Sequence, residues 1–287
     1  MEKLRVCSGL NLHSYPKDDL SAYLRAGLAF HKENGFDAAD ISIATFDLSA
    51  DGWKPQVEQA KAIANEIGIC FELCHLPFFF IDPLRNAAAF DAFCAKMHHG
   101  IDAAAALGVD FAVLHPSTIS LPMKQYDRAA QREFVMHHLS PFAEHAAQAG
   151  VSLALENMRI APSVMATHRY CQEPDELCEV ADALGIGVCW DFGHANTVGF
   201  KQSEALAYIG KRLKVLHVND NDGIEDEHLP PFLGTINWRD AMHGLALAEF
   251  DGLFNYEVAC GKIPASLRTT YANYLIGSAQ ILTSYMA

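Results

Sequence analysis

VCWDFGH, residues 188–194, is an apolar run broken off by an aspartate, with a histidine three positions further on. The same design recurs along the chain. ELCHLP carries His75, AVLHP His115, LALEN Glu156, VLHVND His217 and NYEVA Glu257, each at the close of a short apolar stretch. Helix-like segments separate these runs. A parallel barrel gathers the carboxyl ends of all its strands around one mouth, so side chains scattered from residue 75 to residue 257 can surround one ion. The pattern predicts an α/β fold: a single (β/α)8 TIM barrel over residues 1–287, its active site at the C-terminal ends of the strands.

Working outward from that stretch, eight strand-then-helix units can be counted. Strands fall near 4–11, 38–43, 69–75, 110–115, 151–157, 186–191, 213–219 and 252–258. Helical patterns fall near 18–34, 56–67, 86–107, 127–149, 174–184, 203–211, 237–247 and 265–285. Several strands are nearly continuous apolar runs, as a sheet covered on both faces requires. Gly35, Gly68, Gly108, Gly150 and Gly185 stand where helices must end. Asp18, Ser203 and Asn237 stand where helices would start. An open doubly wound sheet would want a glycine-rich phosphate turn after an early strand, and CSGLN at 7–11 is not one. Two longer connections, 158–173 and 220–236, are of the kind that shapes a substrate pocket.

The bulk numbers agree with a buried core and narrow the partners. Of 287 residues, 51% are hydrophobic, and no apolar run approaches the roughly 18 residues of a membrane span. Acidic residues outnumber basic ones 35 to 21, for a net charge of −14, a field that repels polyanions, so nucleic acid is disfavoured as a partner. Eight cysteines without C-x-x-C spacing read as small core residues in a reducing compartment. MEKLRVCSGLNLHSYP lacks the apolar centre of a signal peptide. A cytoplasmic protein is expected.

Glu156, Asp191, His217 and Glu257 end the fifth to eighth strands. Three hard carboxylates and one imidazole suit one divalent ion, Mn²⁺ first, with Mg²⁺, Co²⁺ and Zn²⁺ as further candidates. His75 and His115 either line the pocket as neutral hydrogen bonders or extend the site to a second metal. His194 should point over the mouth. His228 and Asp226, in the acidic loop, form an Asp-x-His pair that can bind metal or order the loop. His98, His99, His137, His138, His145 and His243 fall in helices and read as surface or core residues. His13 could reach the mouth, and Phe78–Phe80 and Trp53 are candidate pocket walls or core.

The motifs CHLPF, VLHP, LALEN, CWDFGHAN, VLHVNDNDGIEDEHLPP and NYEV, in this order, resemble the xylose isomerase-like barrel superfamily and its sugar (phosphate) isomerase/epimerase branch. The resemblance implies a metal held by Glu156, Asp191, His217 and Glu257, with Glu156 and Glu257 also moving protons as catalytic residues. It implies that His194 binds a substrate oxygen, and that a homo-oligomer is formed. Ketose epimerases of this kind carry an arginine six residues after the metal histidine; here that position is Gly223, and Arg159 is the candidate to serve instead. The implied function is a metal-dependent sugar isomerase or epimerase acting on a ketose or related polyol ketone through an enediolate. An inosose dehydratase-like lyase would share that intermediate. The endonuclease-four branch, an abasic-site nuclease with three zinc ions, would use His75, His115, Glu156, Asp191, His194, His217, Asp226, His228 and Glu257. All nine are suitable residues, whereas the net charge and the lack of basic loops oppose that reading.

Overall fold

The computed structural model describes residues 5–12, 18–78, 86–116, 118, 121–160, 167–261 and 263–286. In chain order the elements are β1 (Val6–Gly9), α1 (Leu20–Glu33), β2 (Ala38–Ser42), α2 (Trp53–Ile67), β3 (Phe71–His75), α3 (Ala87–Leu107), β4 (Phe111–Leu114), β5 (Leu121–Pro122), α4 (Arg128–Ala149), β6 (Ser152–Glu156), β7 (Thr167–His168), α5 (Pro174–Leu184), β8 (Gly187–Asp191), α6 (Phe192–Val198), α7 (Gln202–Ile209), β9 (Leu213–His217), α8 (Trp238–Leu247), β10 (Phe254–Tyr256) and α9 (Arg268–Ser284). Eight strands form one parallel sheet in the order β10-β1-β2-β3-β4-β6-β8-β9. The ring closes where Val218, just past β9, bridges Tyr256 of β10, through Val218 N to Asn255 O at 2.8 Å and Glu257 N to Val218 O at 3.2 Å. This is the expected barrel.

Side chains alternate along a strand, so every second residue of a barrel strand points inward. Cys7, Ala38, Leu73, Val113, Ala154, Cys189, Val215 and Leu253 form one buried cluster, a plug drawn from the whole ring. A larger cluster lies between the sheet and its helices and includes Trp190, Phe142, Phe254 and Leu275. Counting two residues on from the plug reaches Asp40, His75, His115, Glu156, Asp191 and His217. The sequence therefore places its polar residues in the next inward layer, toward the carboxyl ends of the strands. At β10 that layer holds Asn255, and Glu257 follows four residues after Leu253.

The helix ends agree with the sequence at the five glycines, whose φ angles run from 66° to 85°. Asn237 caps α8 by accepting Asp240 N. Two expected starts move. Asp19 rather than Asp18 caps α1, accepting Ala22 N at 3.0 Å. Ser203 lies inside α7, its N–H and hydroxyl both donating to Asp240 instead of capping. Helix α2 begins at Trp53, which is 8% exposed and packs in the core, so it is not a pocket wall. Two features were not foreseen: the seven-residue helix α6, and an antiparallel ribbon in which β5 and β7, from the connections after neighbouring strands β4 and β6, pair with Leu121 opposite His168. Among the described residues no helix is long and apolar enough to cross a membrane. Six of the eight cysteines are buried; Cys94 is half-buried and Cys70 exposed.

Candidate metal centre and active site

Glu156, Asp191 and His217 are the last residues of β6, β8 and β9, and Glu257 follows β10 directly. Asp191 and His217 lie side by side in the β8–β9 register. One ligand atom from each of the four falls within 4.8 Å of the others. Glu156, Asp191 and His217 are buried, and Glu257 is half-buried. Nδ1 of His217 stands 3.1 Å from Glu156 Oε1, 3.1 Å from Glu257 Oε2 and 3.9 Å from Asp191 Oδ2. It nonetheless makes no hydrogen bond. A buried ring nitrogen with no partner is rare. Here it faces three carboxylates, the environment of a lone pair directed at a shared cation. The donor set fits a hard-to-borderline divalent ion.

The surroundings hold these side chains in place. Asp191 Oδ1 accepts His194 N at 2.6 Å, capping α6, and Oδ2 accepts Asn219 Nδ2 at 2.8 Å. Asn157 brackets the same residue, Oδ1 accepting Asp191 N and Nδ2 donating to Asp191 O. Gly193 permits this approach, because a Cβ there would meet Asn219 Oδ1 at 1.9 Å. Asp220, fully buried, ties the acidic loop to α8 by accepting from Trp238 Nε1, Phe232 N and Ile236 N.

The remaining named residues converge on the same cavity, about 580 Å³, lined by His75, Phe78, His115, Glu156, Arg159, His194, Asp226, His228 and Glu257. Nε2 of His75 and of His115 each lie 3.2 Å from Glu156 Oε2, and these three residues form a second group able to hold an ion. Asp226 Oδ2 is 3.4 Å from Nε2 of both His194 and His228 and 3.3 Å from Arg159 Nε. His194 Nδ1 donates to Asn157 O, and His228 Nδ1 to Glu257 O, which fixes both rings. Phe78 packs against His75 and His115 with ring centroids 5.5 and 5.7 Å away. His13, Phe79 and Phe80 lie outside the described residues.

Electrostatics follow from burial against mutual attraction. Burial pushes the Glu156 carboxyl up, but His217 and His115 outweigh it and hold the group well below its ordinary range. Glu257 is likewise pulled down, to about 2, by His217 against burial. Burial raises Asp191 to about 6. His194 is raised to about 9, Asp191 and Asp226 overcoming its burial. Burial drives His115 down to about 4. Glu156 and Glu257 are thus set as anions.

Reading strand ends alone missed Arg169, Thr118, Met158 and Ser42, which also line the cavity. Arg169 sits in a connection already marked as pocket-shaping, and a basic residue in so acidic a chain was the available signal.

The sequence matches the family described as xylose isomerase-like TIM barrel over residues 28–273. An uncharacterized protein of Methanocaldococcus jannaschii is 29% identical over 233 residues, 78% of this chain and 75% of the relative. Among solved structures, a D-tagatose 3-epimerase-like protein superposes with a TM-score of 0.73 at 20% identity, covering 99% of this chain and 100% of that one. A D-psicose 3-epimerase, crystallised in the presence of D-fructose, gives 0.75 at 14% identity, covering 97% and 99%. At such identities the structural likeness shows the fold. With most of its length matched, the chain belongs to the xylose isomerase-like TIM-barrel family.

Proposed function

We propose that the protein is a divalent-metal-dependent sugar isomerase or epimerase that transfers a proton at the carbon beside a ketone of a ketose or related polyol ketone. The observation that carries this reading is the convergence of Glu156, Asp191, His217 and Glu257 around the unpartnered Nδ1 of His217. Bound there, a divalent ion such as Mn²⁺ would polarise a carbonyl and offset negative charge on its oxygen. Glu156 and Glu257 reach the centre from different strands, and the neighbouring histidines keep both ionised, the state a general base requires. One removes the proton to give an enediolate and the other returns it. Return to the same carbon from the opposite face yields an epimer, and return to the neighbouring carbon an isomer. His194, its Nδ1 donating to Asn157 O and its Nε2 3.4 Å from Asp226 Oδ2, lines the cavity as an imidazolium whose Nε2–H is shared between Asp226 and a substrate oxygen. The sugar 3-epimerases among the similar folds point the same way. Incubation of the Mn²⁺-loaded protein with a panel of ketoses and inososes in D₂O should show α-proton exchange by NMR for at least one of them. No exchange with any, in protein that holds metal, would sink the proposal.

A second reading, a multi-zinc phosphodiester hydrolase, is favoured by one observation. Among the described residues Glu156 belongs to three overlapping groups able to hold an ion, one of them with His75 and His115, and Asp226 Oδ2 lies 3.4 Å from Nε2 of both His194 and His228. The net charge of −14 opposes a DNA substrate. About three Zn²⁺ per chain, with nicking of a duplex carrying an abasic-site analogue, would establish this reading; one ion and no nicking would remove it.

A further inference from the structure

Arg169 has no ion-pair partner among the described residues. It follows β7 directly and lines the cavity that holds Glu156, His194 and Glu257. Its Nε is held twice, by Thr118 O and Thr118 Oγ1, both at 3.1 Å, and Thr118 is itself buried. Its backbone is held as well: Arg169 N donates to Gln172 Oε1 at 2.8 Å, while Gln172 Nε2 donates to Arg159 O at 2.7 Å. One glutamine side chain therefore brackets the two arginine-bearing stretches together. Further anchors fix the same segment: Glu176 accepts from Cys171 N at 3.0 Å and lies 3.0 Å from His168 Nε2.

This scaffolding leaves the two terminal nitrogens of Arg169 without a hydrogen-bond partner among the described residues, and no carboxylate comes within ion-pair distance of them. Other arginines are paired: Arg128 with Asp175, Arg132 with Glu179, Arg212 with Asp182 and Arg159 with Asp226. In a chain with 35 acidic residues, an unpaired guanidinium facing a cavity is not short of available partners. Burial and the neighbouring Arg159 depress its pKa to about 10, so its charge is poorly stabilised in this environment. A planar guanidinium locked at Nε offers a two-pronged fork that matches a carboxylate or phosphate.

We propose that the substrate carries an anionic oxygen group, received by the free fork of Arg169 with Arg159 beside it. This rests on the sugar reading above and narrows its substrate class to ketoses bearing a phosphate ester or a carboxylate. The anion binds on the wall formed by Thr118 and the β7 connection. The ketone end then faces Glu156 and Glu257.

The test uses the metal-loaded protein with three matched compounds: a ketose, its terminal phosphate ester and its terminal uronate. One of the two charged compounds should exchange its α-proton with kcat/KM at least about 10²-fold above the neutral ketose, and which one identifies the group. Arg169→Met should reduce that preference by about 10²-fold, and Arg169→Lys should restore part of it, because the charge returns without the fork. Equal kcat/KM for all three compounds, or a preference kept in Arg169→Met, would overturn the proposal and leave the sugar reading standing. If none of the three exchanges, calorimetry with inorganic phosphate and with acetate decides the anion site separately. Binding of either that is lost in Arg169→Met supports it, and identical binding by both proteins, or none by the wild type, overturns it.

Discussion

Asp191 has two tasks, and its neighbours make them compatible. Oδ1 caps α6 through His194 N, which leaves Oδ2, steadied by Asn219, to face His217. A ligand oriented by a second residue loses affinity when that residue goes. In Asn219→Ala, Mn²⁺ affinity measured by calorimetry should fall by about 10–100-fold while the fold is kept; an unchanged affinity would deny Asn219 that role. At this scale the sequence was informative where residue type and strand position coincide. Glu156, Asp191 and His217 are chemically apt and end apolar runs. Arg169 lies in a connection, and Asn219, expected as the last residue of a strand, falls just past the one that ends at His217, so neither periodicity nor spacing marked the direction of its side chain. The pairing of Arg159 with Asp226 was equally hidden, since it joins loops that follow different strands.

Among the elements, the barrel strands were readable because each is an apolar run closed by a polar residue, and the helices because a glycine ends them. The β5–β7 ribbon was not, since two residues per strand carry no period and their pairing joins separate connections. Helix α6 was concealed because it starts directly after Asp191, which both ends β8 and caps the helix. Helix α1 shows how an element is attached to the barrel: in fully buried His31, Nδ1 lies 2.9 Å from Gly27 O and Nε2 3.0 Å from Ser8 O of β1, and the neutral ring donates its single N–H to one of the two carbonyls. Burial lowers its pKa despite those carbonyls. Unfolded histidine takes up a proton near pH 6.5, and the folded one resists. The unfolded state thus binds more protons as pH falls below about 6.5, so stability present above that value is lost on the acid side, down to the folded pKa. Urea denaturation of the metal-free protein should show a smaller loss between roughly pH 7.5 and 5.5 for His31→Gln than for wild type. Equal losses would mean that His31 does not set this limb.

For the molecule as a whole, the inward layer above the plug concentrates carboxylates and histidines at one end of the ring, while the net charge of −14 is spread over the chain. A divalent cation held there, as proposed, would offset the charge of the carboxylates at the centre, and Arg169 supplies positive charge at the cavity wall. The fold and the clustering of the candidate ligands were legible together because a parallel ring turns sequence order into spatial convergence. Substrate identity was not, because it is decided by loops whose side chains meet only after folding. The most direct test of the account compares wild type, Glu156→Gln and Glu257→Gln, each saturated with Mn²⁺, for α-deuterium incorporation into the best ketose substrate in D₂O. Both variants should lose at least about 10²-fold in exchange rate, the ordinary worth of a positioned acid–base group. Exchange at the wild-type rate by either variant would contradict the assignment of the two glutamates as the proton-transferring pair.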